Sequence, residues 1–175
     1  MTEIRRAVDD DATALSELGA RTFRDAFEAD NNPSDFAMFL SSAYSPALQL
    51  AEIRNPAVDT LLAVEDRALI GFTQVRVGAV ATCVQVAAPI ELQRIYVDRR
   101  WHGRGIADLL MDAAKDAARR RGGKHIWLGV WERNTRAQAF YRRCGFTKIG
   151  TQTFVVGTDP QTDQVMVCAL TPMSP

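Results

Sequence analysis

The chain has 175 residues, 47% of them hydrophobic and 24% charged, the balance of an ordinary globular protein and not of a disordered or fibrous one. Such a length suits one domain over 1–175 with a single substantial core. Lysine plus arginine equals aspartate plus glutamate at 21 each, which excludes the global positive field of a nonspecific nucleic-acid binder, so no nucleic-acid partner is expected.

Ile4 to Ala7 reads as a short strand, and Asp9-Asp10-Asp11 favours a helix start through capping and the helix dipole. Leu15, Leu18, Thr22, Phe23, Ala26 and Phe27 then recur at three and four, predicting one buried helical stripe. Asn32-Pro33 opens a second helix with Phe36, Phe39 and Leu40 on one face, and Ser45-Pro46 opens a third that runs to about Arg54. From Thr60 the texture becomes β: Leu61 to Val64, a turn at Glu65-Asp66-Arg67, and Ala68 to Val77 predict a hairpin. Gly78 to Pro89 is rich in small residues and fits either a hairpin extension or a loop.

Glu91 to Val97 is the next strand, and Gly105 starts a helix with Ile106, Leu109, Leu110, Ala113, Ala114 and Ala117 inward. That helix ends in Arg119-Arg120-Arg121 before Gly122-Gly123. His125 to Val130 is a strand, Asn134 to Tyr141 a short helix, and Phe146 to Val156 and Gln164 to Leu170 are strands. The order βααα-ββ-βα-βα-ββ predicts one mixed α/β layer structure. Cys83, Cys144 and Cys168 contain no CxxC pair and read as reduced, buried thiols; with only His102 and His125 beside them, no metal site is expected. Met1 to Arg6 lacks an apolar signal core and no run approaches the ~18 apolar residues of a membrane span, so a cytoplasmic protein without a membrane partner is expected.

The chemistry concentrates in Arg100-Trp101-His102-Gly103-Arg104-Gly105, between a strand and a helix. Main-chain N–H groups at a helix start point one way and carry the positive end of the dipole, and glycines let a phosphate reach the main chain. Arg99, Arg100 and Arg104 add guanidinium donors suited to phosphate oxygens. A purely structural turn fits the same glycines. A dinucleotide fingerprint fails because Asp108 stands at its third glycine, and a P-loop fails for want of Gly-Lys-Ser/Thr.

With a second landmark, Asn134-Thr135-Arg136-Ala137-Gln138-Ala139-Phe140-Tyr141 followed by Gly145-Phe146, the sequence resembles the Gcn5-related N-acetyltransferase family over nearly its whole length. The resemblance implies the family's acyl-transferase fold, a central, mostly antiparallel twisted sheet flanked by helices, with acetyl-CoA as cosubstrate and no metal. It implies that Arg100 to Gly105, with Ile106 and Ala107, hold the coenzyme diphosphate. It further implies that the main chain of Ile95, Tyr96 and Val97 runs beside the pantetheine, with the Val97 N–H polarising the thioester carbonyl. Asn134 would contact the pantetheine, Ala137 and Phe140 would line its channel, and Tyr141 would protonate the departing thiolate; the competing reading of Tyr141 is a helix residue with its hydroxyl satisfied elsewhere. A phenol with a reference pKa of ~10 is neutral at pH 7 and able to donate. Glu91 stands where some members carry a general base, although a solvated strand-end carboxylate fits equally.

Arg21 to Phe27, Ile126 to Glu132 and Gln161-Thr162-Asp163 carry a finer resemblance, to the PaiA-type spermidine/spermine acetyltransferases, which implies a polyamine or related small amine as acceptor. Phe23, Phe27, Glu28 and Trp131 are the acceptor-site candidates, with Asp25, Asp30, Asp35 and Glu132 as further anionic groups, although aromatics at spacing four fit a core and helix charges a solvated face. A protein Nα- or lysine acetyltransferase and a noncatalytic acetyl-CoA sensor are the alternatives, and a monomer and a homodimer are equally compatible with the sequence.

Overall fold

The computed structural model describes residues 1–171. Its elements follow the expected order: β1 (Glu3–Arg6), α1 (Ala12–Phe27), α2 (Pro33–Ala43), α3 (Pro46–Arg54), β2 (Val58–Glu65), β3 (Ala68–Arg76), β4 (Pro89–Val97), α4 (Ile106–Arg120), β5 (His125–Trp131), α5 (Thr135–Arg143), β6 (Thr147–Val156) and β7 (Asp159–Ala169). The seven strands form one sheet in the order β1-β2-β3-β4-β5-β7-β6, antiparallel at every junction except β4–β5. The fold is therefore the expected mixed α/β sheet with helices on its faces.

Local chemistry explains the helix starts. Asn32 Oδ1 accepts from the Ser34 and Asp35 N–H groups, and Ser45 Oγ accepts from the Leu48 N–H, each cap being followed by proline at the first helical position. The Asp9-Asp10-Asp11 run forms a 3-10 turn ahead of α1, with Asp11 bonded to the Val8 N–H and to Arg5. Residues 78–88 are loop, which settles the ambiguity there, and Val84 packs on Trp127 and Val165.

The helices cover both faces. Leu15, Leu18 and Phe23 of α1 pack with Phe36, Tyr44, Leu62 and Phe72 on one side, while Met111, Ala114 and Ala118 of α4 pack with Leu92, Ile126 and Leu128 on the other. Close approach is part of the design at Gly19, where a Cβ would lie 2.5 Å from the Tyr44 ring. Three expectations need correction. Leu109 is 44% exposed because the inward face of α4 is Ile106, Leu110, Met111, Ala114, Ala117 and Ala118, one position round from it. Ala26 is exposed because it borders a cavity that the last turn of α1 helps to wall. Of the three thiols only Cys168 is buried; Cys83 and Cys144 are half-buried. No helix among the described residues is long and apolar enough to cross a membrane.

Candidate active site

The site begins with a defect in the sheet. β4 and β5 pair in parallel over Pro89–Glu91 and His125–Trp127 only. Beyond that point β4 stays with β3 and β5 stays with β7, so the two strands part. A bulge accompanies the split: Leu92 and Arg94 pair with consecutive β3 residues and Gln93 is the extra one, which bends β4. The β4 edge from Gln93 to Val97 thus faces β5 without a strand partner, and its main-chain polar groups on that side, apart from the Val97 carbonyl that His102 takes, are available to an extended ligand.

A cavity of about 1660 Å³ occupies the wedge. At one end it is walled by Trp101, His102, Gly103, Gly105, Ile106 and Ala107, along its length by Ile95, Tyr96, Val97, Asn134, Ala137, Phe140 and Tyr141, and at the other end by Phe23, Phe27, Glu91 and Trp131. The sequence-predicted residues therefore converge, except that Arg100, Arg104 and Glu28, and the further anionic candidates Asp30, Asp35 and Glu132, do not line the cavity. Arg100 is turned onto Asp98, its Nη2 2.8 Å from Oδ2. The Arg104 guanidinium lies over the Trp101 ring at 4.8 Å. Glu28 is exposed, 3.9 Å from Arg24.

At the first end Gly103 and Gly105 both adopt φ of 76°, the left-handed region that glycine enters without strain. A Cβ at either would meet nothing within 4 Å, so open space borders the loop. Gly105 caps α4 and has no side chain to satisfy the first N–H groups of that helix. Uncapped donors, the dipole and adjacent arginines make a cradle suited to a diphosphate.

Two residues brace this loop. His102 Nε2 is 2.9 Å from the Val97 carbonyl, and the Arg136 guanidinium donates to His102 Nδ1 at 3.1 Å, which assigns the ring proton to Nε2 and ties the loop to β4 and α5. Asp98, 4% exposed, accepts from the Arg100 N–H and guanidinium and from Arg21 of α1. The Arg100 bonds, helped by Arg21, hold its carboxyl far below the usual carboxylate range against the opposing effect of burial. The sequence carries a signal for Asp98, an aspartate at the N-cap of the 3-10 turn Arg99–Trp101, and none for its pairing with Arg21.

In the middle, Asn134 caps α5, its Oδ1 accepting from the Ala137 N–H at 3.1 Å. Tyr141 packs against Phe140 and Phe146 with ring centroids 5.5 and 5.8 Å away, and burial pushes its phenol above the ordinary value. Tyr96 is also pushed well above it by burial and by its neighbours Tyr44 and Tyr141.

The far end is made of side chains. Phe27 meets Trp131 edge to face at 6.0 Å, and Phe23 stacks with Phe39 at 4.7 Å. Glu91 Oε2 accepts from Arg76 Nε. The β6–β7 hairpin closes this end onto the first turn of α2 and the connection before it: Asp35 Oδ1 accepts from the Thr158 N–H and hydroxyl, both at 2.8 Å, and Gln161 Nε2 donates to Asn31 Oδ1. Asp163 of β7 also lines the cavity, only 7% exposed, and desolvation raises its carboxyl to about 6 against the lowering effect of Gln152.

Known proteins share the sequence pattern and the fold. A sequence profile of the acetyltransferase (GNAT) family matches residues 20–146. An uncharacterized N-acetyltransferase encoded in the pepI 3' region of Lactobacillus delbrueckii subsp. lactis is 29% identical over 168 residues, 96% of this chain and 97% of that one. The streptothricin acetyltransferase of Streptomyces lavendulae is 32% identical over 162 residues, 85% of this chain and 82% of that one. The fold is shared with the PaiA N-acetyltransferase of Thermoplasma acidophilum in complex with coenzyme A, at a TM-score of 0.80, 22% identity, and coverage of 97% and 99%.

Proposed function

The chain belongs to the acetyltransferase (GNAT) family and is an acetyl-CoA-dependent N-acetyltransferase, and from that premise we propose that it passes the acetyl group directly to a primary amine of a small polycationic acceptor of the polyamine type. The observation that carries this reading is the continuity of the cleft: one cavity joins the uncapped start of α4 to an aromatic and carboxylate-bearing chamber. An acceptor entering at Phe27 and Trp131 meets the acyl donor along β4 without a covalent enzyme intermediate. The likeness to a streptothricin acetyltransferase supports a small amine over a protein acceptor.

In this reading the N–H groups at Gly103 to Ala107 receive the diphosphate, with Arg99, Trp101 and His102 of the cavity wall as side-chain support. The open main chain of Ile95, Tyr96 and Val97 pairs with the pantetheine, flanked by Asn134, Ala137 and Phe140. Acetyl-CoA supplies an activated thioester; the chain's own residues handle the protons. Partial burial of its ring keeps the Tyr141 phenol protonated at neutral pH, so that it can donate to the departing thiolate. Glu91, one oxygen held by Arg76, takes the ammonium proton directly or through water at its other oxygen.

A coenzyme-release assay with spermidine, diamines, an aminoglycoside and peptide N-termini tests the acceptor class. Turnover of the small amines is expected; activity on peptides alone would sink the polyamine reading, and acetyl-CoA binding without turnover on any amine would replace it with a sensor.

A further inference from the structure

We propose that Asp163 is a specificity-determining cation site, which holds a second positively charged group of the acceptor while another amine of the same molecule is acylated. This rests on the amine-acetyltransferase reading above and adds a residue and a charge requirement to it.

The case starts from strand periodicity. Alternation along β7 places Asp163 on the same face as Val165 and Val167, and those valines pack with Trp127 and Val84. A carboxylate therefore stands in an apolar row. Buried carboxylates are costly unless paired, and the other two buried aspartates of the described residues obey the rule: Asp59 is bonded to Arg6 and Arg121, and Asp98 to Arg21 and Arg100. Asp163 takes part in no ion pair among the described residues, and its polar neighbour is the neutral amide of Gln152. Its carboxyl, raised to about 6, is still mostly ionised at pH 7, so a negative charge faces the cleft with no counter-charge of the protein's own.

The surroundings fit an ammonium group on a methylene chain. Gly129 of β5 lies beside the carboxylate: a Cβ there would stand 3.0 Å from Asp163 Oδ2 and collide with Gln152 Nε2, so glycine makes room for this polar pair. Asp163 pairs across the sheet with Trp131, whose ring meets Phe27, giving apolar walls next to the charge. In strand order β7 is two places from β4, at least about 10 Å at ordinary strand spacing and more where β4 and β5 part. An acceptor with one nitrogen at the open β4 edge reaches Asp163 only with a second charge several methylenes away. Glu91 does not duplicate this role, because Arg76 already neutralises it.

The test compares 1,5-diaminopentane with pentylamine in a coenzyme-release assay on the full chain at saturating acetyl-CoA and neutral pH. For the wild-type protein kcat/KM for the diamine exceeds that for the monoamine by about tenfold or more, as a desolvated charge pair requires. Asp163→Asn collapses that ratio toward one, with the loss in the diamine KM and not in kcat, while Asp163→Glu retains a ratio above that of the Asn variant. Calorimetric affinity for acetyl-CoA verifies that the variants are folded; if the Asn variant is not, the wild-type ratio alone decides. A wild-type ratio near one, or an unchanged ratio in a folded Asn variant, overturns the proposal and leaves amine acetylation standing. Failure to acylate either amine together with acylation of peptide N-termini overturns the amine reading and this inference with it.

Discussion

The two ends of the cleft are built from different materials. Toward α4 the walls are main chain: the glycines at 103 and 105, the uncapped helix start and the unpaired edge of β4. Toward Asp163 they are side chains from α1, β4, β5, β6 and β7, brought together by hydrogen bonds between the final hairpin and the first turn of α2 with the connection before it. In the proposed reading the main-chain cradle depends on backbone conformation and recognises what every acyl-coenzyme shares. A side-chain chamber changes with each substitution and recognises what differs between acceptors, which is how one fold serves many substrates.

Breaking the chemistry between the two ends has the largest expected effect. Tyr141→Phe lowers kcat about 10²- to 10³-fold if the phenol is the proton donor, with acetyl-CoA affinity by calorimetry within twofold of wild type; an unchanged kcat would remove Tyr141 from the proton path. Breaking the main-chain end comes next. Gly105→Val forces a β-branched residue into φ of 76° and weakens acetyl-CoA binding roughly 10- to 100-fold, affecting every acceptor alike. Equal loss across acceptors is the signature of that end, and selective loss with one amine would contradict it. Asp98→Ala releases Arg100 and Arg21 from a shared carboxylate and is expected to raise the acetyl-CoA KM several-fold, about 1 kcal/mol or slightly more, without altering the ranking of acceptors.

The last effect belongs to the side-chain end and concerns stability. Asp163 has a folded pKa of about 6, above its unfolded reference of 3.8. Between those values the folded chain holds a proton that the unfolded chain has lost, so this group favours folding most below about pH 4. Its contribution declines as pH rises through about 6. Asp163→Asn abolishes that slope and stabilises the ligand-free protein at pH 7 by about 1–2 kcal/mol after allowance for solvent screening. Other carboxylates, Asp98 among them, titrate in the opposite sense, so the measurement is the difference between variant and wild-type denaturation midpoints across pH. A midpoint difference independent of pH would contradict the account of Asp163. A gain in stability with a loss of diamine preference would mark it as a residue kept for function at the expense of folding.

The sequence made the main-chain end legible because its requirements lie in consecutive residues. A glycine pair before an amphipathic helix and an Asn-to-Tyr spacing on a later one need no knowledge of distant contacts, and the α-helical N-caps at Asn32 and Ser45 read correctly for the same reason. The wedge between β4 and β5 was not legible: the bulge at Gln93 depends on how β4 registers against β3, and no residue type announces it. Nor was the pairing of Glu91 with Arg76, or of Asp98 with Arg21, since these partners come from separate elements. Asp163 lay within a recognisable tripeptide, yet its burial and its lack of a cation arise only when β5, β6 and β7 stack Gly129, Gln152 and Asp163 together. Leu109 failed for a simpler reason, because helical periodicity gives the width of an apolar face less sharply than its direction.

The central claim is direct acetyl transfer to an amine inside this cleft. Mass spectrometry of a reaction containing the protein, acetyl-CoA and 1,5-diaminopentane tests it: the account predicts monoacetylated diamine in step with free coenzyme A and no acetyl group left on the protein. Coenzyme release without acetylated amine, or an acetylated protein in place of acetylated diamine, would contradict it.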